Sequence, residues 1–409
     1  MNSTPLPACD LVTHLNLGRL TNEEILQQTL TAYKDDPLFC IPEKAREIFA
    51  RRGLETPFIL LGTKDFAAIF ISNVGDRARV LYVVDDFKCH RGELFYGIEI
   101  ISTDKFLELV RQSPDVVALN CCRVDFSRRF FENLCRFHDV PCLNHEQAIR
   151  LLGMNDIIDY RICDWGPSIA SRFHDYLAIG QRFADPYSLE TLHGVMMFHL
   201  TCNPEWHLNI ARPYSTLYFR SGLFSLTNKE KFVDCGASVG ESTSGLIDVT
   251  RGQFTHSWMI EPDRQNIETL RKLQRKYAGT PLESKITLHP VAVGDRVTEV
   301  PFHHLGGHAG VVAPNLDATP DRVSVQPVDM IIDDIPTFIK IDIEGFELAA
   351  LRGSAKAIAG GKPKLALSAY HRPTDLLDLT NYVDSISTGY VLGLRHHTEE
   401  RWDTCLYFY

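Results

Sequence analysis

The 409-residue chain has no run near the roughly 18 consecutive apolar residues that a membrane-spanning helix needs. Its opening stretch, "MNSTPLPACDLVTHLNLGRL", lacks a basic segment followed by a long apolar one. No secretory signal is legible there, and the expected compartment is the cytoplasm. The eleven cysteines include no CxxC pair. Cys121 and Cys122 are adjacent and Cys135 and Cys142 lie seven apart, which fits no structural zinc pattern, so the thiols read as reduced and mostly buried. Positive charge is also short. With 42 Lys and Arg against 52 Asp and Glu the net charge is −10, which argues against bulk attraction to nucleic acid or an anionic membrane. Low-complexity linkers and internal repeats are missing as well.

What is present is a soluble globular composition, 44% hydrophobic and 23% charged, long enough for two or three domains. Residues 1–50 carry apolar positions at helical spacing and read as a helical lead-in, with Gly53 as a stop. Residues 51–150 read as a first α/β domain. "PFILLG" is a strand, "TKDFAAIFISNV" a helix, "ARVLYVVDD" a strand, "ISTDKFLELVRQS" a capped helix and "DVVALNCC" a strand. Strands alternating with helices of this length imply parallel βαβ units. The nucleotide loop of this domain is degenerate, because Gly62 is followed by Thr63-Lys64-Asp65-Phe66 where a dinucleotide site needs further glycines. Residues 151–225 read as a mainly helical connector, and residues 226–409 as a second α/β domain.

The second domain opens on "KFVDCGASVGESTSGLI", whose Gly236-Ala237-Ser238-Val239-Gly240 matches G-x-S-x-G. Three readings compete. A hydrolase would use Ser238, Asp342 and His371 in that order as a triad, but the Gly306-Gly307-His308 cluster follows the serine where an oxyanion loop should precede it. A dinucleotide site would need glycines at 236, 238 and 241 and finds Ser238 and Glu241, the latter repelling phosphate. The third reading is S-adenosylmethionine (SAM), which carries no phosphate and has cationic sulfonium and ammonium groups. Asp234 would then lie near the amino-acid part, with Gly236, Ser238 and Gly240 allowing the backbone to approach the ligand. "WMIEPD" places Glu261 at the next strand end, where a carboxylate can accept both hydrogen bonds of a ribose diol. Consecutive parallel strands end side by side, and 27 residues separate Asp234 from Glu261. Pro262 and Asp263 would face the adenine side. "KITLHPVAVGD", read as one strand, would bring Ala292 and Asp295 to the adenine rim. "FIKIDIEGFE" brings Asp342 and Glu344 two residues apart, on one face if the strand persists.

The runs "FVDCGASVGES", "IEPDRQN", "VAVGD" and "IKIDIEGFELAALRGS" resemble the FkbM family of SAM-dependent methyltransferases over residues 205–409. The resemblance implies a class I methyltransferase fold for the C-terminal domain, which with the first domain read above makes an α/β chain with two Rossmann-like parallel-sheet domains. It implies O-methylation of a hydroxyl on a sugar, glycan or natural product, with SAM as cofactor and a small-molecule or glycan acceptor as partner. Asp342 would serve both the cofactor and the chemistry. Asp342 and His371 are the candidate general bases and Glu344 an orienting or substrate-binding group. A divalent metal held by Asp342, Glu344 and a nearby carboxylate or histidine is possible but not indicated by the spacing. Lys340 reads as a partner of a nearby acid. The histidines at 303, 304 and 308 read as exposed or substrate-facing, and His396-His397 as pocket or surface. A non-catalytic scaffold that keeps the SAM fold is the rival.

Overall fold

The structure, a computed structural model, describes residues 21–123, 125–154, 162–304, 306–307, 311–312 and 321–409. Two compact units divide the chain: the described residues up to Ser171 together with Val195–Trp206, and Arg172–Gly194 with His207–Tyr409. The stretch expected as a connector is thus shared between them. Its helices are Ile162–Ser171, Phe173–Gly180, Pro186–Thr201 and Glu205–Ile210. Among the described residues no helix is long and apolar enough to cross a membrane.

The described part of the lead-in forms two helices, Asn22–Asp35 and Glu43–Arg52. Thr21 and Glu24 make a reciprocal capping box at the first, and Gly53 follows the second as its C-cap. The first unit holds β1 (Pro57–Leu61), β2 (Arg79–Val84), β3 (Leu94–Phe95), β4 (Ile98–Ile101), β5 (Val117–Asn120) and β6 (Cys142–Asn144) in the order β3-β4-β2-β1-β5-β6. Only β3 pairs antiparallel. Strands β1 and β5 are almost wholly buried, which accounts for their continuous apolar runs.

The second unit contains β7 (Lys231–Cys235), β8 (His256–Ile260), β9 (Ile286–His289), β10 (Ala292–Val293), β11 (Thr298–His303), β12 (Val311–Val312), β13 (Asp321–Gln326), β14 (Phe338–Ile341), β15 (Lys364–Ser368), β16 (Leu392–His396) and β17 (Thr404–Phe408). Seven of these form one sheet in the order β16-β17-β15-β14-β7-β8-β9. Strand β17 alone runs antiparallel to its neighbours. The α/β fold class expected from the sequence is the one observed. Its order steps from β7 to β9 toward one edge, then restarts beside β7 with β14. Strand order therefore reverses between β7 and β14, where open α/β sheets place their ligand crevice. The rings of Phe219, Phe232 and Phe338 pack edge-on at 5.2–5.5 Å beneath this junction. Such pairs add about 0.5–1.5 kcal/mol each beyond burial and fix β7 against β14.

The expected single strand "KITLHPVAVGD" is two. Strand β9 ends at His289, Pro290 interrupts, and β10 leaves the main sheet to pair with β13 in a separate sheet of order β10-β13-β11-β12.

Candidate functional site

The register of β7 and β14 sets Asp234 opposite Lys340 and Cys235 opposite Ile341. Both strands are buried, so a lysine there must find partners. Lys340 Nζ donates to the carbonyls of Gly236 (2.6 Å) and Cys235 (3.2 Å) and lies 3.3 Å from Asp234 Oδ1. Asp234 Oδ2 accepts from Thr243 Oγ1 at 3.1 Å. Burial alone would depress the Lys340 ammonium, but Asp234 and Asp342 outweigh it and raise its pKa. Asp234 has no exposed surface. Its place is beneath the loop, which it holds through Lys340 and Thr243.

The loop itself is shaped by backbone. Gly236 has φ +78°, and a Cβ there would fall 2.0 Å from the Asp342 carbonyl oxygen. Glycine at 236 is therefore what lets β7 and β14 end side by side. A Cβ at Gly240 would meet the side chains of Leu273 and Leu270, so glycine there also serves packing. Ser238 has φ +47°, and its N–H donates to Glu261 Oε2 at 2.9 Å. Glu261 Oε1 accepts from Asp263 N at 2.9 Å. Burial raises the Glu261 pKa, against these two backbone bonds. The carboxylate is 5% exposed and is turned toward the glycine loop, not toward bulk water. Pro262 is half-buried. Asp263 is fully buried and caps the helix Arg264–Lys276 by accepting from Gln265 N (2.7 Å) and Asn266 N (3.2 Å). Gly306 and Gly307 lie over this edge: Gly306 N donates to Asp263 Oδ2, and the Gly307 carbonyl accepts from Ser238 Oγ and Asn266 Nδ2.

At the end of β14 the chain leaves the strand. Glu344 adopts φ +56°, so Asp342 and Glu344 do not share a strand face as expected. They meet instead around His371. Its Nε2 lies 3.3 Å from Glu344 Oε2 and 3.8 Å from Asp342 Oδ1, and its Nδ1 lies 3.0 Å from Glu347 Oε1. Burial would lower the His371 pKa, but Glu347 and Glu344 raise it well above the usual range. Asp342 accepts from the hydroxyls of Tyr218 (2.8 Å) and Tyr370 (3.3 Å). Burial opposes its charge, yet Lys340 and His371 hold its carboxyl below the ordinary range.

The structure thus gathers Gly236, Ser238, Glu261 and Asp342 at adjoining strand ends and His371 and Glu344 beside them. Ala292 and Asp295 are placed otherwise. Ala292 is buried in the small sheet and Asp295 is exposed in the turn after it, while the main-sheet strand end expected of them is His289, whose carbonyl accepts from Glu261 N. His396 and His397 are neither pocket nor surface. Both are fully buried, bonded to Thr404 Oγ1 (2.8 Å) and to Thr216 Oγ1 and Tyr407 Oη (3.0 Å each). His304 Nδ1 accepts from Arg264 N at 3.1 Å, and His308 lies outside the described residues.

Sequence reasoning missed Tyr218, Tyr370 and Glu347. Glu347 was visible as the third acid in "IDIEGFE" but was given no role. It is fully buried, and its Oε1 accepts from Ile343 N and Gly345 N, closing the turn after the strand. Tyr218 comes from a remote segment and left no local signal, whereas Tyr370 directly precedes His371.

A family model described as the methyltransferase FkbM domain matches residues 234–392. Among solved structures, methyltransferase FkbM from Methylobacillus flagellatus KT is 50% identical, with 95% of this chain and 99% of that chain covered and a TM-score of 0.87. Precorrin-6y C5,15-methyltransferase from Geobacter metallireducens GS-15 aligns at 12% identity over 50% of this chain and 85% of that chain, with a TM-score of 0.25. No curated protein matches.

Proposed function

This chain belongs to the FkbM methyltransferase family, and on that footing we propose that it moves a methyl group from SAM to a hydroxyl of a sugar, glycan or natural-product acceptor. The observation that carries the reading is Glu261. Two backbone N–H groups fix its carboxylate beside the glycine loop at the point where strand order reverses. A carboxylate offers about four acceptor sites, and beside these two bonds only Asn266 Nδ2, among the described residues, reaches Oε1, at a long 3.5 Å that a ribose hydroxyl can displace. The acid-rich rim formed by Asp342 and Glu344 suits the cationic sulfonium and ammonium groups.

When bound, SAM supplies an electrophilic methyl whose leaving group needs no acid. The chain's own part is positioning, with Gly236 and Ser238 shaping the floor and Glu261 holding the sugar. Asp342, ionised and flanked by two tyrosine hydroxyls, receives the acceptor's hydroxyl group and takes its proton. His371, carrying its proton among carboxylates, orients Asp342 and Glu344 and does not act as the first base. A serine-hydrolase role for Ser238 does not fit the family, and its hydroxyl donates to the Gly307 carbonyl at 3.0 Å.

Calorimetric titration with SAM tests the reading. Wild-type protein is expected to bind, and Glu261→Ala to weaken binding at least tenfold, about 1.4 kcal/mol. Absence of binding by the wild-type protein would favour a non-catalytic scaffold. Methyl transfer to amines with none to hydroxyls would overturn the acceptor assignment.

A further inference from the structure

We propose that Asp342, Glu347 and His371 form a divalent-metal site, suited to an oxygen-preferring ion that also accepts one imidazole, such as Mn2+. One ligand atom from each residue lies within 4.8 Å of the others, close to twice a metal–ligand bond of about 2.1–2.5 Å. Two of the three residues carry unmatched atoms, while Asp342 accepts from Tyr218 and Tyr370. Glu347 is fully buried, and its Oε2 has no hydrogen-bond partner although Oε1 is anchored by two backbone N–H groups. The His371 side chain is 9% exposed, and neither ring nitrogen makes an aligned hydrogen bond despite carboxylate oxygens at 3.0 and 3.3 Å. Buried polar atoms left unmatched are costly, and groups so placed either store strain or await a ligand.

Charge points the same way. Asp342, Glu344, Glu347 and the buried Asp375 crowd one imidazole, with Lys340 behind Asp342 and Arg372 exposed at the rim. Two carboxylates with one imidazole form a mixed oxygen and nitrogen set that suits Mn2+ better than a soft, thiolate-seeking ion. The backbone bonds to Glu347 Oε1 supply the outer support that fixes a ligand's direction. With an ion bound, Asp342 is occupied as a ligand and the base role would pass to Glu344, exposed and 3.3 Å from the ring, facing a hydroxyl that the ion polarises. That catalytic use rests on the methyl-transfer reading; the binding site does not.

Titration of the full chain with Mn2+, followed by electron paramagnetic resonance, tests the proposal. One tightly held ion is expected, with a nitrogen coupling from His371 in the pulsed spectrum. His371→Ala should abolish the coupling and weaken binding at least tenfold, and Glu347→Gln should weaken it similarly. The wild-type spectrum alone is decisive should either variant fold poorly. No bound ion at millimolar Mn2+, or a bound ion without nitrogen coupling, overturns the site. SAM titrated into the same samples separates the two readings. Binding of SAM without Mn2+ sinks the metal site alone, whereas Mn2+ without SAM supports the metal site and sinks the cofactor assignment.

Discussion

At the end of β1 in the first unit, Gly62 leads through Thr63 and Lys64 into the helix Asp65–Val74, beside the end of β5. At the end of β7 in the second, Gly236 leads into the helix Glu241–Thr250, beside the end of β14. Both are places where strand order reverses. The first is closed by its own side chains. The Cys122 thiol lies against Gly62, the Thr63 hydroxyl is shared by Asp85 and Lys88, Asp65 pairs with Arg123 at 2.9 Å, and the Phe66 ring stacks on His145. In the second, carboxylates outnumber the cations near them, and buried atoms of Glu347 and His371 are unmatched. Topology makes a crevice twice; residues decide which one has chemistry left over.

The largest expected effect tests the buried link under the second crevice. Lys340→Met strands the Asp234 carboxylate with no exposed surface, and removing one partner of a buried pair costs about 3–5 kcal/mol. Denaturant unfolding of the second unit should show that loss, with partial recovery on adding Asp234→Asn. The half-exposed Asp65–Arg123 pair of the first unit should cost under about 1 kcal/mol when Arg123 is replaced by Ala. Equal losses at both pairs would erase the contrast.

Next comes the glycine at each turn. Gly236→Ala drives a Cβ into the Asp342 backbone carbonyl, which cannot step aside without parting β7 from β14. Loss of SAM binding and of about 2–3 kcal/mol of stability are expected. Gly62→Ala meets only the Cys122 thiol at 2.9 Å, a side chain able to rotate, at φ +102°. It should cost about 1–2 kcal/mol while SAM affinity stays within twofold. A matching fall in SAM affinity would mean the first crevice takes part in cofactor binding.

Acid should loosen the second unit through His396 and His397. Burial pushes both imidazoles down to about 3 from an ordinary 6.5. The unfolded chain therefore takes up protons first. The stability these residues lend is complete above 6.5 and drains as pH falls toward 3. One pH unit below 6.5 the accumulated loss is about 1.4 kcal/mol for each histidine. Hydrogen exchange from pH 7 to 5 should register it in β16 and β17, and His397→Gln should flatten the slope. A flat profile in the wild-type protein would mean the two rings reach water.

Much of this was legible in the sequence. The apolar runs ending in Gly62, Asp234, Glu261 and Asp342 mark the strand ends that line both crevices, because buried parallel strands cannot hide their composition. The class of fold followed from the alternation of strand and helix. The small sheet was not legible, since β10, β11 and β13 are short and pair across long separations, and only Pro290 hints that β9 has ended. The carboxylate cluster was half legible. Asp342, Glu344 and His371 stood out, but a positive φ at Glu344 replaced the strand alternation that was meant to align them. Lys340 could have been read more firmly: a lysine inside a buried strand must be matched, and here it fastens the loop that its neighbour strand begins.

The smallest effect concerns the serine that makes the loop look hydrolytic. Ser238 contributes its backbone N–H to Glu261, an interaction that survives truncation of the side chain. Its hydroxyl donates to the Gly307 carbonyl in a partly exposed setting. Losing such a bond is worth about 0.5–1.5 kcal/mol. Ser238→Ala should therefore lower SAM affinity by no more than about tenfold and leave esterase activity at the background of both proteins. Glu261→Ala, acting one hydrogen bond away, should weaken binding more. A reversal of that order would move the anchor of the site from the carboxylate to the hydroxyl. The G-x-S-x-G match would then hold a residue whose side chain, and not merely its backbone, is under functional demand.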